Sequence, residues 1–234
     1  MNVLRKITPQ LVLLGLIFII GIFGFVKSEV LPTNTTAQYS KTVIIDAGHG
    51  GFDGGASAAD GTVEKDINLS IAQKVAAILK FNGYNVIMTR TEDTGTEDNE
   101  SDAIAKRKKS DLNNRLQIMK DNSDAIYVSI HLNKFTTSAA SGAQVFYTKN
   151  YKEANELANL VQTSIVKLLQ PDNTRVVKQG TDSTFLLKNA AVPAIIVECG
   201  FLSNKQDLEK LKSDDYQSQM AFAICGGILN FMEG

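Results

Sequence analysis

"TVIIDAGHGGFDGG", residues 42–55, runs from a β-branched apolar stretch into a turn. That turn carries five glycines, Asp46, Asp53 and one of only two histidines in 234 residues. Val43, Ile44 and Ile45 predict a short buried strand, because such side chains pack well on a pleated surface. The glycines after it permit backbone turns that larger residues resist. An imidazole in that turn has three readings: part of a phosphate-cradling loop, a metal ligand, or an incidental residue of a tight turn. The phosphate loop fails on detail. No Gly-Lys-Ser/Thr ending follows, and the glycines do not open directly into a helix.

Working outward, strand and helix patterns alternate. Ile67, Ile71, Val75, Ile78 and Leu79 recur at helical spacing, and Gly83 closes that helix. "NVIMTR" (85–90), "AIYVSIH" (125–131), "AQVFYTK" (143–149), "TFLLK" (184–188) and "PAIIVEC" (193–199) read as further strands. Residues 91–110 are polar and mixed in charge, and read as a long surface loop too polar to plug an apolar cleft. Helices are predicted over 111–122, over 151–169, where Leu157, Val161, Ile165 and Leu168 share a face, and from Asn204 onward. This alternation predicts a single α/β domain. Its sheet is mixed and mostly parallel, of about six strands, with helices on both faces. In such folds functional groups gather at the carboxyl ends of the strands.

The chain as a whole sets bounds. It is 44% hydrophobic and 21% charged, so it can bury a full core. A net charge of −1 gives no global pull toward nucleic acid or acidic lipid. Arg5 and Lys6 precede a charge-free stretch from Ile7 to Val26, which as a helix of twenty residues spans about 30 Å, a bilayer core. The expected organisation is a signal-anchor over residues 1–27, a polar linker over 28–41 and a catalytic domain over 42–234. Basic residues before the span predict an exported body anchored in the membrane. The rival is a secreted form released by signal-peptide cleavage, but no small-x-small site directly follows Val26. Cys199 and Cys225 lie in apolar segments and read as two buried thiols, although an exported compartment permits a disulfide.

His49 follows the first strand and His131 ends "AIYVSIH", so both stand at the carboxyl edge of the sheet. A lone histidine is more often a packing residue than a ligand, and two at matching strand ends shift that balance. Glu64 falls in the first turn of a predicted helix, with Thr62 as its cap. The helix dipole favours any carboxylate there, and the same physics orients it as an oxygen ligand. Glu198 directly follows four apolar residues, either as a solvated strand end or as a base at a cleft rim. Two imidazoles and a carboxylate match a catalytic zinc set, which leaves one position open and one acid spare for proton transfer. A Ser-His-Asp triad is weak, since no Gly-x-Ser-x-Gly elbow occurs.

Together "VIIDAGHGGFDGGA", "EKDINLSIAQKVAAILKFNGYNVIMTR", "SIHLN" and "VPAIIVECGFLSN" resemble the zinc-dependent N-acetylmuramoyl-L-alanine amidases of type 3. The resemblance covers nearly everything from residue 42 onward. It implies a zinc-exopeptidase-like fold, one Zn2+ held by His49, Glu64 and His131, and Glu198 as the catalytic acid/base. The implied reaction is hydrolysis of the amide between muramic acid and L-alanine in peptidoglycan. "RKKSDLNNR" and the anchored single-domain form look similar to the spore-cortex amidases, whose action leads to muramic-δ-lactam recognised in germination. Arg115, Asn133 and Lys188 are candidate substrate contacts. With no appended wall-binding repeats, help from an exported accessory protein or lipoprotein is expected. The alternatives are a zinc carboxypeptidase-type exopeptidase and an inactive anchored wall-binding scaffold, which would have no need of the spare acid.

Overall fold

Six strands, β1 (Thr42–Ala47), β2 (Asn85–Met88), β3 (Ile126–Asn133), β4 (Gln144–Tyr147), β5 (Lys178–Gln179) and β6 (Ala194–Phe201), form one sheet in the order β2-β1-β3-β6-β4-β5. The computed structural model describes residues 42–181 and 184–234, all within the unit Ala37–Gly234. β2, β1, β3 and β6 run parallel, whereas β4 pairs antiparallel with β6 and parallel with β5. The sheet is therefore mixed and mostly parallel, as expected.

Helices α1 (Glu64–Phe81), α2 (Ile104–Asp121), α3 (Glu153–Leu168), α4 (Phe185–Asn189), α5 (Lys205–Leu211) and α6 (Asp214–Glu233) complete the described fold. Because strand side chains alternate between faces, each strand feeds two cores. Val43, Ile45, Val128, Ile130, Val145 and Val197 pack under α1, α3 and α6 through Ile71, Val75, Leu157, Val161 and Ile224. Ile44, Tyr127, Ala194 and Ile196 turn the other way, against Leu116 and Met119 of α2 and Leu186 and Leu187 of α4. Burial on both faces explains why these strands read as continuous apolar runs.

The structure corrects three local readings. "TFLLK" is not a strand: its residues enter α4, where the adjacent leucines Leu186 and Leu187 are both buried. Five residues are too few for periodicity to separate the two forms. The sixth strand is instead β5, whose two residues are exposed and leave no alternation to read. Finally, α2 begins at Ile104, so the last seven residues of the supposed polar loop are helical. Three cations of its basic run pair with carboxylates: Lys106 with Asp102, Arg107 with Glu97 and Lys108 with Asp53. The rest of that loop is pinned by Lys65 on Asp93 and by Thr96, whose N–H donates to Asp111.

Cys199 and Cys225 are both buried free thiols, and burial pushes Cys225 up to about 12. Among the described residues no helix is long and apolar enough to cross a membrane. The predicted anchor over residues 1–27 and the linker over 28–41 lie outside the described residues.

Candidate metal centre

The sheet register places the chemistry. His131 of β3 stands directly opposite Glu198 of β6, and Glu198 stands opposite Gln144 of β4. On the other side Gly48, just past β1, donates its N–H to Ile130 O, 3.0 Å away. Opposite residues project to the same face, so His131, Glu198 and Gln144 form one row at the carboxyl edge of the parallel strands. Gly48 has no side chain because none fits: a Cβ there would lie 2.3 Å from the His131 ring.

The turn after β1 brings His49 into that row from above. His49 adopts a left-handed backbone, φ 62°, which is uncommon for a residue other than glycine. Asp53, four residues on, accepts from His49 Nδ1 at 2.9 Å and so aims Nε2 inward. Gly55, φ 70°, makes room for the ligands, since a Cβ would meet Glu64 Oε2 at 2.6 Å and His49 Cδ2 at 2.7 Å. Glycine is therefore required on both sides of the cluster for space, and at Gly55 for conformation as well.

Glu64 is the first residue of α1. Its cap is Val63, which makes no side-chain bond, and the Thr62 N–H donates to Asp60 instead, so the expected Thr62 cap is not formed. Glu64 Oε2 accepts from Ala56 N at 2.8 Å, while Oε1 accepts from Leu132 N at 3.1 Å and Asn68 Nδ2 at 3.3 Å. The same Oε1 lies 3.1 Å from His131 Nδ1 and 3.3 Å from His49 Nε2. The candidate ligand atoms of His49, Glu64 and His131 all lie within 4.8 Å of one another.

This donor set fits zinc. Ligand atoms at the corners of a tetrahedron, ~2.0–2.1 Å from its centre, are about 3.4 Å apart. The two imidazole–carboxylate separations are close to that spacing. The electrostatics also call for a cation. Burial opposes charge on Glu64, but hydrogen bonds and charge from His131 and His49 outweigh it and hold the carboxyl well below its usual range. Burial likewise opposes charge on His49, yet its bonds to Asp53 and Glu64 raise it to about 9. A proton thus occupies His49 at neutral pH in the metal-free protein, and a metal ion would replace it.

Glu198 is different. Its Oε2 is buried with no hydrogen-bond partner, and burial raises the carboxyl to about 7, with Glu64 adding to the rise and the imidazoles opposing it. A buried, unpartnered carboxyl beside a ligand cluster is poised to take up or release a proton near neutrality. A cleft of about 260 Å3 opens beside the two imidazoles, and its lining includes His49, Asp53, Lys108 and His131.

The three candidate substrate contacts are not equivalent. Arg115 is 2% exposed and is spent on its neighbours: Asp46, Asp111 and the carbonyls of Ala47 and His49. Asp46 in turn accepts from Ser129 and Thr89. Arg115 therefore braces the floor beneath the metal cluster. Asn133 lies two residues beyond His131 at the register shift between β3 and β6, and its O accepts from Leu202 N. Lys188 is exposed on α4, and the residue of that helix lining the cleft is Leu186. Sequence reasoning missed Asp53, Asn68 and Arg90. Asp53 and Asn68 each lie four residues from a ligand they bond, a spacing that carried a readable signal. Arg90, buried at the end of β2, donates to the carbonyls of Ala47, Gly48 and Lys65.

Known proteins resemble this chain. The germination-specific N-acetylmuramoyl-L-alanine amidase of Bacillus subtilis (strain 168) is 33% identical over 94% of this chain and 92% of its own length. Among solved structures, the CwlD amidase of Clostridioides difficile, in complex with the GerS lipoprotein, matches with a TM-score of 0.79. It is 38% identical, over 82% of this chain and 98% of that one. AmiC2 of Nostoc punctiforme, an N-acetylmuramoyl-L-alanine amidase, matches with a TM-score of 0.71 and 32% identity over 84% of this chain and 99% of that one. The family described as N-acetylmuramoyl-L-alanine amidase matches residues 43–230, which hold all of the sheet except Thr42 and every residue of the row. The chain belongs to the N-acetylmuramoyl-L-alanine amidase family.

Proposed function

We propose that this protein is a zinc-dependent amidase that releases stem peptides from muramic acid in spore-cortex peptidoglycan, on the way to muramic-δ-lactam. His49, Glu64 and His131 hold the metal. Zinc, when bound, supplies a Lewis acid that polarises a carbonyl and makes water more acidic. Glu198 takes the proton from the attacking water and passes it to the departing amine nitrogen. Its position opposite His131, with a free Oε2, is the observation that carries this reading. Asp53 and Arg115 keep the His49 turn in place, one through the imidazole and the other through the backbone carbonyl.

The cortex role is supported by the likeness to the germination-specific amidase, and an accessory lipoprotein by the likeness to an amidase solved with one. The chain is read as exported and held in the membrane by residues 1–27, ahead of a linker over 28–41 and the catalytic domain. Metal content measured beside hydrolysis rate tests the assigned roles. His49→Ala, Glu64→Ala and His131→Ala should lose zinc and activity together. Glu198→Ala should keep stoichiometric zinc while its rate falls by about 10²–10⁴-fold, the usual worth of a positioned acid/base. A zinc-free Glu198→Ala protein, or a Glu64→Ala protein with both zinc and rate intact, would reverse the assignment.

A further inference from the structure

Two neighbouring cations of α2 grip two neighbouring residues of the turn that carries His49. Lys108 Nζ lies 2.9 Å from Asp53 Oδ1. One position earlier, the Arg107 guanidinium lies over the Phe52 ring, 4.0 Å from its centroid. Arg107 is itself fixed, because its Nε and Nη2 both donate to Oε1 of Glu97, whose side chain is almost fully buried. The first turns of α2 are thus registered against residues 52 and 53. Lys108 meets Asp53 from a fixed backbone, although half of its own side chain is exposed.

Asp53 divides its carboxylate between two elements. Oδ2 accepts from His49 Nδ1 at 2.9 Å, and Oδ1 faces Lys108. The turn folds back to allow this: Gly50 N donates to Asp53 O at 2.9 Å, and Asp53 N to Gly50 O at 3.0 Å. Lys108, Asp53 and His49 therefore form a chain of side chains that ends at the candidate ligand atom, His49 Nε2. His49 needs such support. A left-handed backbone, φ 62°, persists in a residue other than glycine only where its surroundings fix it. Arg115 fixes the carbonyl and Asp53 the ring.

An exposed lysine–carboxylate pair ordinarily contributes little. Lys106 and Asp102, four residues apart, make such a pair. Lys108 and Asp53 differ, because this acid is already bonded to a candidate ligand. Lys108 also lines the cleft with His49 and His131. We propose that Lys108 is a positioning residue for the metal: by holding Asp53 Oδ1 it keeps Oδ2 on His49 Nδ1, and so keeps Nε2 aimed at the ion. Helix α2, which supplies no ligand, is thereby part of the metal site. The inference rests on His49 being a ligand, and its test reads metal rather than hydrolysis.

That test is competition between the full-length protein and a zinc chelator. Lys108→Met keeps the apolar stem and removes the charge. It should bind zinc about tenfold more weakly, the lower end of the range for a group that orients a ligand. Lys108→Arg should restore most of the affinity, and Lys106→Met, in the same basic run, should match the wild type. In an Asp53→Ala background Lys108→Met should have no further effect, because the contact through which it acts is gone. Metal-free Lys108→Met protein should melt with the metal-free wild type; a much lower melting point would make the pair a fold contact and overturn the proposal. Unchanged affinity in Lys108→Met, tighter binding from loss of a nearby positive charge, or an equal loss in both backgrounds would overturn it too. Unchanged affinity with a raised KM would place Lys108 on the substrate instead. A wild type that binds no zinc would overturn the metal reading itself, and this proposal with it.

Discussion

At the scale of single residues, four carboxylates near one metal centre behave differently because their surroundings differ. Asp53 is held low, first by its bond to His49 and also by Lys108, and serves as an anchor. Asp46 is held low by Arg115 and two hydroxyls against full burial. Glu64 is tied to both imidazoles. Only Glu198 is raised, from 4.5 to about 7, because burial strips its water and gives Oε2 nothing in return. Between those values the folded protein keeps a proton that the unfolded chain has released, so native stability falls as pH rises through that window. Metal-free Glu198→Gln protein should therefore gain stability over the wild type at about pH 8, with that gain shrinking toward about pH 5. Urea midpoints at both pH values would check it; a pH-independent difference would mean that Glu198 is not buried in this way.

Elements were read with uneven success, for physical reasons. Strands covered on both faces gave long apolar runs, so β1, β3 and β6 were legible, and with them the strand ends bearing His49, His131 and Glu198. Gly83 marked the end of α1 because it adopts φ 83°, a left-handed turn that glycine makes without strain. The first seven residues of α2 were not legible, since their charges pair with carboxylates outside the helix rather than following a hydrophobic period. Gly48 is where element geometry and chemistry meet. Gly48→Ala should push the His131 ring out of the row and weaken zinc binding, on the order of 10–100-fold, as loss of ligand support does elsewhere. Competition with a zinc chelator would measure this, and affinity equal to the wild type would mean that the strand end relaxes freely.

For the whole molecule, the described unit carries its own sheet, cores and candidate metal site, and the hydrophobic N-terminus carries the expectation of an anchor. Intact protein should sediment with membranes and be released by detergent but not by salt. Recovery of a soluble form beginning between residues 27 and 41 would show cleavage in place of anchoring. The central claim concerns the bond that is cut. Mass analysis of purified peptidoglycan glycan, digested by the zinc-loaded protein, reads that bond directly. The account predicts free stem peptides with an intact N-terminal alanine, together with unsubstituted muramic acid. Release of single amino acids from the peptide ends, with the muramoyl–alanine amide intact, would contradict it.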